Sequence, residues 1–285
     1  MSMTTLVVWA LLGQEFVTPL GKVGNATADT PELKAAVAAL AEKPNDTERM
    51  LAAARAYDRV LKFSESIPLY TQVIAALPGD VRAYRYRGHR LISTRKFREA
   101  IRDLKRAEQI APGSFDVLYH LALAEYLNGE YKSAARTYAR CLDWKAGTSA
   151  GSMPSDWRSC EGLNDDSRVA MLNWRYAALR RAGQTADAAR LLAGVSERME
   201  VKENVAYHQA LLYYRGERGD EIFEGARLTG SSLMAAGYPV ANFALMEGNK
   251  DKACQLFRKI TSTDNWAAFG YIAAEAELVK GTCPR

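Results

Sequence analysis

From residue 47 onward, small and large apolar residues recur at an interval of 34 residues, far longer than the period of a single helix. Residues 47–80 place Ala54, Tyr57, Ser66, Tyr70, Val73 and Pro78 where residues 81–114 place Gly88, Leu91, Ala100, Leu104, Ala107 and Pro112. Residues 115–148 continue with Ala122, Glu125, Ala134, Tyr138 and Cys141, then put Ala146 where the proline stood. Each unit therefore predicts two antiparallel helices, with Pro78 or Pro112 stopping the second. Small residues such as Gly88, Ala100 and Ala134 predict a close approach of the two helices, while Tyr70, Leu104 and Tyr138 fill the space between units. Three tandem units predict an array that buries a shared core.

The strict period breaks beyond residue 143, where "KAGTSAGSMPSDWRSCEGLNDDS" is rich in Gly, Ser, Asp and Pro and predicts an inserted loop over 149–166. Helix-pair patterns then resume over 167–285. "LNWRYAALRRAGQTADAARLLAGV" carries Gly183, Ala188 and Leu192 at the spacing of the earlier units, and "ANFALMEGNKDKACQLFRKI" carries Gly248, Ala253 and Phe257. Between them "NVAYHQALLYYRGE" predicts a helix whose partner, around Glu221 to Leu228, is degenerate. "NWAAFGYIAAEAELVKG" predicts a closing helix, and Thr30, Pro31 and Glu32 start a capping helix within 23–46.

These units resemble the tetratricopeptide repeat, whose pattern runs through Leu-Gly, an aromatic, a small residue in the second helix, another aromatic and a terminal proline. The middle unit, "YRYRGHRLISTRKFREAIRDLKRAEQIAP", matches best. The first unit departs in having Ala53 and Ala54 in place of Leu-Gly, and Pro68 early in its second helix. The resemblance implies an all-α superhelix, an α-solenoid with capping helices at both ends. "TPLGK", "NDDSRVAMLNWRY" and "WAAFGYIAAEAEL" are further similar to bacterial proteins of this type that carry signal sequences.

In such an array the first helix of each pair lines the concave surface, so the resemblance implies a groove lined by Arg55, Arg59, Arg82, Arg85, His89, Tyr119 and Tyr126, extended by Asn173, Arg180 and Arg181. Arginine forks suit carboxylates and tyrosine gives large contacts, so the groove is expected to take a protein or an acidic peptide segment. The competing reading pairs these arginines with Glu48, Asp58 and Asp116 inside the array. The C-terminal-carboxylate clamp known in this family uses Lys and Asn where this chain has Leu51 and Arg55, which argues against that clamp. On the second helix, Arg98, Arg102, Lys105 and Arg106 are expected on a solvated convex face balanced by Glu99, Asp103 and Glu108.

Composition changes this picture little. The chain has 285 residues, 48% hydrophobic and 25% charged, with a net charge of +5, which permits acidic partners without the dense basic block of a strong phosphate binder. Leu6 to Leu12 is an unbroken apolar run, too short for a membrane span, which needs about twenty residues. Residues 1–22 are therefore expected to be a signal or N-terminal segment, with a periplasmic or secreted location and the cytoplasm as alternative. Four cysteines, with no CxxC pair, suit disulfides in an exported chain, and Cys141 with Cys160 and Cys254 with Cys283 are the pairings expected.

Catalytic motifs are absent: there is no Gly-rich phosphate loop, nucleophile elbow or HExxH, and none of the three histidines shares a helix turn with another or with a cysteine. No metal or cofactor is expected. The first expectation is a non-enzymatic interaction scaffold, monomeric or weakly self-associating, with no membrane span. The alternative is an enzyme or enzyme subunit with a site at His89 and His120. An RNA-binding array ranks third, because the equivalent concave places hold Arg55, His89 and Leu123 and so do not repeat.

Overall fold

The capping groups of the first helices recur with the same 34-residue interval as the core pattern. Asp46 accepts from the amides of Glu48 and Arg49 at 3.0 and 3.1 Å, Asp80 from that of Arg82 at 2.9 Å, and Ser114 from that of Val117 at 3.4 Å. Each satisfies amides that the first helical turn leaves unpaired. They open α2 (Thr47–Arg59), α4 (Val81–Ser93) and α6 (Phe115–Leu127). The turn into the second helix recurs too: Leu61 and Arg95 have φ of 60° and 62°, and the third unit fills the same place with Gly129 at 86°. Glycine adopts that left-handed conformation at no steric cost. The partners are α3 (Phe63–Ala76), α5 (Phe97–Ile110) and α7 (Tyr131–Leu142).

The computed structural model describes residues 14–145, 147–222 and 230–284. Ahead of the units, an antiparallel hairpin of β1 (Gln14–Val17) and β2 (Val23–Asn25) leads to α1 (Pro31–Glu42), capped by Thr30. After them come α8 (Asp165–Arg181), α9 (Thr185–Ala193), α10 (Val205–Tyr214), α11 (Gly230–Met246), α12 (Lys250–Thr261) and α13 (Phe269–Val279). The degenerate partner of α10 is a single 3-10 turn, Asp220–Ile222, and the remainder of that expected helix lies outside the described residues.

The pairing of a small with a large residue holds in all three units: Ala54 and Tyr70, Leu104 beside Gly88, and Ala122 and Tyr138 are all buried. Leu104 stands so near Gly88 that a Cβ there would fall 2.7 Å from its Cγ. Pro78 and Pro112 lie just beyond α3 and α5, and Ala100 and Ala134 are fully buried. Pro68 sits inside α3, which runs through it. Tyr57 is half-buried against α1, beside Ala36 and Val37.

The array closes on itself. Every residue of α6 except Asp116 is buried, whereas a first helix of an open solenoid would keep one solvated face. Phe269 of α13 packs on His120 at 5.7 Å, and Tyr238 of α11 shares a 2.8 Å hydrogen bond with the Tyr126 hydroxyl, so later helices fill the concave side. Across the ring, the Arg95 Nε donates to Glu275 of α13 at 2.7 Å, and Trp266 stacks on Phe16 at 5.8 Å while donating to the Asn25 carbonyl at 3.2 Å. Residues 14–22, expected within a leading segment, thus belong to the folded body. Residues 1–13 lie outside those described.

Candidate functional site

The concave positions expected to form one open groove divide into a buried and an accessible set. Tyr119 and Tyr126 are buried, 9% and 2% exposed, so neither offers a peptide contact. Burial holds both phenols above the usual range. Tyr126 instead accepts from Asn242 at 3.2 Å and lies edge-on to Trp174 at 5.4 Å, inside the later half of the array. Asn173, Arg180 and Arg181 are likewise engaged: Asn173 donates to the Tyr207 carbonyl, Arg180 reaches Glu247, and Arg181 reaches Asn242, Tyr131 and Glu277. The sequence could not reveal this, because Tyr126 is covered from more than a hundred residues further along and the partners of Asn173, Arg180 and Arg181 lie 34 to 96 residues away.

Arg82 and Arg85 follow the competing reading and pair inside the array. Arg82 spans Asp80 at 3.0 Å and Glu48 at 2.9 Å, and these hydrogen bonds push its guanidinium pKa up. Arg85 lies 3.3 Å from Asp116, and burial, partly offset by that carboxylate, holds its pKa below the ordinary value. The third pair is Arg90 with Asp58 at 3.6 Å, where the Tyr70 hydroxyl also donates to Asp58 at 2.7 Å. Burial raises the Asp58 pKa against the pull of Arg90.

Arg55 and Arg59 remain exposed at the α2 end. Arg55 lies over the Tyr86 ring at 4.9 Å, and Arg85 over the same ring at 5.0 Å. Trp157 completes the stack, edge-on to Tyr86 at 5.9 Å. Tyr86 and Trp157 were not singled out by the sequence pattern. The signal for Trp157 was a single aromatic residue three places before Cys160 in an otherwise polar loop.

That loop is a strap. Cys141 and Cys160 form a disulfide, and Cys254 and Cys283 form another. Between the first pair, Gly113 donates to Ala150 at 3.1 Å, Phe115 to Arg158 at 2.9 Å and Cys160 to Gly113 at 2.8 Å, fixing the strap across the α5 to α6 turn. Gly113 faces it closely, since a Cβ there would fall 2.6 Å from the Ala150 backbone. The strap delivers Trp157 to α4 and Arg158 to Asp116 at 3.6 Å.

His89 and His120 come together, with ring centroids 4.5 Å apart beside Phe269. Burial, with Arg90 and Arg85 nearby, holds both imidazoles well below their usual pKa. Their Nδ1 atoms are engaged: Arg90 donates to that of His89 at 2.6 Å, and that of His120 donates to the Asp116 carbonyl at 2.6 Å. A cavity of about 330 Å³ borders His89, lined by Tyr207, Met234 and Phe269. Among the described residues there is no group of three metal-ligating side chains, and no helix long and apolar enough to cross a membrane.

The fold matches solved structures of repeat proteins. A tetratricopeptide repeat protein from Parabacteroides merdae aligns over 85% of this chain and 90% of its own, at 13% identity and a TM-score of 0.53. The chain has the fold of a tetratricopeptide-type solenoid. YrrB, described as a TPR protein with an unusual peptide-binding site, aligns over 81% of this solenoid and 92% of its own chain, at 13% identity and a TM-score of 0.47. No family model matches the chain, and no curated protein matches it.

Proposed function

We propose that this solenoid is a non-enzymatic interaction scaffold that takes an acidic peptide segment on the α2 to α4 end of its concave side. The observation that carries this reading is the stack of Arg55, Tyr86, Arg85 and Trp157, in which Arg55 is exposed and has no carboxylate partner among the described residues. An incoming carboxylate gains a planar fork there, backed by the buried Tyr86 ring, and its neighbours gain the half-buried Trp157. Two disulfides support export to an oxidising compartment as part of the same reading. A catalytic site at His89 and His120 has the adjoining cavity in its favour, but both Nδ1 atoms serve the fold.

Selection from a displayed peptide library on the wild type, compared with an Arg55→Glu, Arg59→Glu variant, tests the proposal. Acidic sequences enriched on the wild type alone support it. Equal enrichment on both proteins, or enrichment of uncharged sequences, would overturn it. Arg82 and Arg85 are unsuited to this test, because reversing them breaks internal ion pairs.

A further inference from the structure

The expectation that convex arginines are balanced by nearby acids does not survive the structure. Asp103 turns inward and accepts from Arg87 at 2.7 and 2.8 Å, with its side chain 10% exposed. Glu108 is held by Arg140 across the gap between α5 and α7. Glu125, at the floor of the same gap, is buried and accepts from Ser133 and Thr137, both at 2.8 Å. What remains on the surface is a set of cations: Arg98, Arg102, Lys105 and Arg106 on α5, and Lys132 and Arg136 on α7, all exposed. The acids left beside them are Glu99, Glu130 at the start of α7 and, at its end, Asp143, which faces Arg175 at 3.7 Å.

This arrangement costs stability. Arg98, Arg102 and Arg106 follow each other at i,i+4, as do Lys132, Arg136 and Arg140, and like charges at that spacing repel by a few tenths of a kcal/mol per pair. Burial explains none of it, since α5 turns Ala100, Ile101, Leu104 and Ala107 to the core and the cations away from it. A groove of about 640 Å³ lies between α5 and α7, lined by Lys105 of the one and by Arg136 and Arg140 of the other. Each i,i+4 series extends about 12 Å along its helix.

We infer that this convex face adsorbs to an anionic phospholipid surface. The cations form a two-dimensional array, which suits phosphates spread over a plane, whereas a nucleic acid presents its phosphates along a line. The exposed positions of α5 and α7 hold no aromatic ring on which a base could stack. They hold no large apolar side chain either, so the contact is electrostatic, superficial and salt-sensitive. Second helices face away from first helices, so adsorption leaves the stack of Arg55, Tyr86 and Trp157 free.

The test is co-sedimentation with phosphatidylcholine vesicles, with and without phosphatidylglycerol, at low and high salt. The wild type binds only the anionic vesicles and is released by salt. Arg102→Glu with Arg136→Glu weakens binding by at least about 30-fold, since each basic residue near such a surface contributes about a factor of five. Arg102→Gln with Arg136→Gln weakens it less, and neither variant lowers the melting temperature, since both relieve the i,i+4 repulsion. The control, Lys34→Glu with Lys43→Glu on and beside α1, lowers the net charge of +5 to the same +1 and leaves binding within about threefold. Equal loss in the control, no binding by the wild type, or tighter binding to a single-stranded oligonucleotide or polyglutamate would each overturn the inference.

Discussion

Replacing Gly88 by alanine sets two known effects against each other at one atom. In an open helix the change would stabilise by about 1 kcal/mol, because glycine has the higher conformational entropy to lose. Here the added Cβ would lie 2.7 Å from the Leu104 Cγ and 3.0 and 3.2 Å from its methyl carbons. Leu104 is fully buried and cannot swing into solvent. Forcing a methyl into such a core costs about 1–3 kcal/mol, so the net effect is a loss of about 1 kcal/mol. Urea denaturation of the wild type, Gly88→Ala, Leu104→Ala and the double variant separates the terms. Leu104→Ala alone costs about 2–5 kcal/mol. In the double variant the collision is gone and the helix gains its alanine, so the effects fall short of additivity by about 1–3 kcal/mol. A stabilised Gly88→Ala protein, or strict additivity, would refute the close approach of α4 and α5.

Arg95→Met should cost about 3–5 kcal/mol in urea denaturation, because it leaves Glu275, with a side chain 1% exposed, without its cation; adding Glu275→Leu should recover most of the loss. His89 and His120 have depressed pKa values, so the stability tied to their neutral forms is complete above about pH 6.5 and falls as the pH drops below it, by up to about 1.4 kcal/mol per pH unit for each. His89→Gln with His120→Gln should flatten that slope between pH 6.5 and 5, and an unchanged slope would count against burial as its cause. Cys160→Ser opens a loop of 19 residues and should cost about 3 kcal/mol, while raising the accessibility of Trp157 to acrylamide quenching.

The repeat was legible in the sequence because it is written locally. Gly88 against Leu104 and the proline stops are each decided within one unit, the helix caps sit one residue before it, and 34-residue spacing repeats them. The disulfide partners were legible for a similar reason, since Cys141 and Cys160 bracket a single irregular segment. The candidate site was legible only in part. Arg55 and Arg59 are exposed because, among the described residues, no later helix covers them; Tyr86 meets Arg55 only through its ring. Tyr119 and Tyr126 occupy concave places of the third unit and are buried, because Phe269 and Tyr238 return from far along the chain to cover them. Asp103 shows the same limit on a smaller scale: its spacing placed it among the convex arginines, and only the packing of α4 on α5 turned it toward Arg87.

Hydroxyl-radical footprinting of the native protein tests the closure of the array most directly, because it reads side-chain access to water residue by residue. Closure predicts that Tyr119, Leu123 and Tyr126 stay unmodified while the exposed Leu77 and Val279, 43% and 52% accessible, react readily. Modification of Tyr119, Leu123 and Tyr126 at rates near those of Leu77 would show an open concave groove and contradict it.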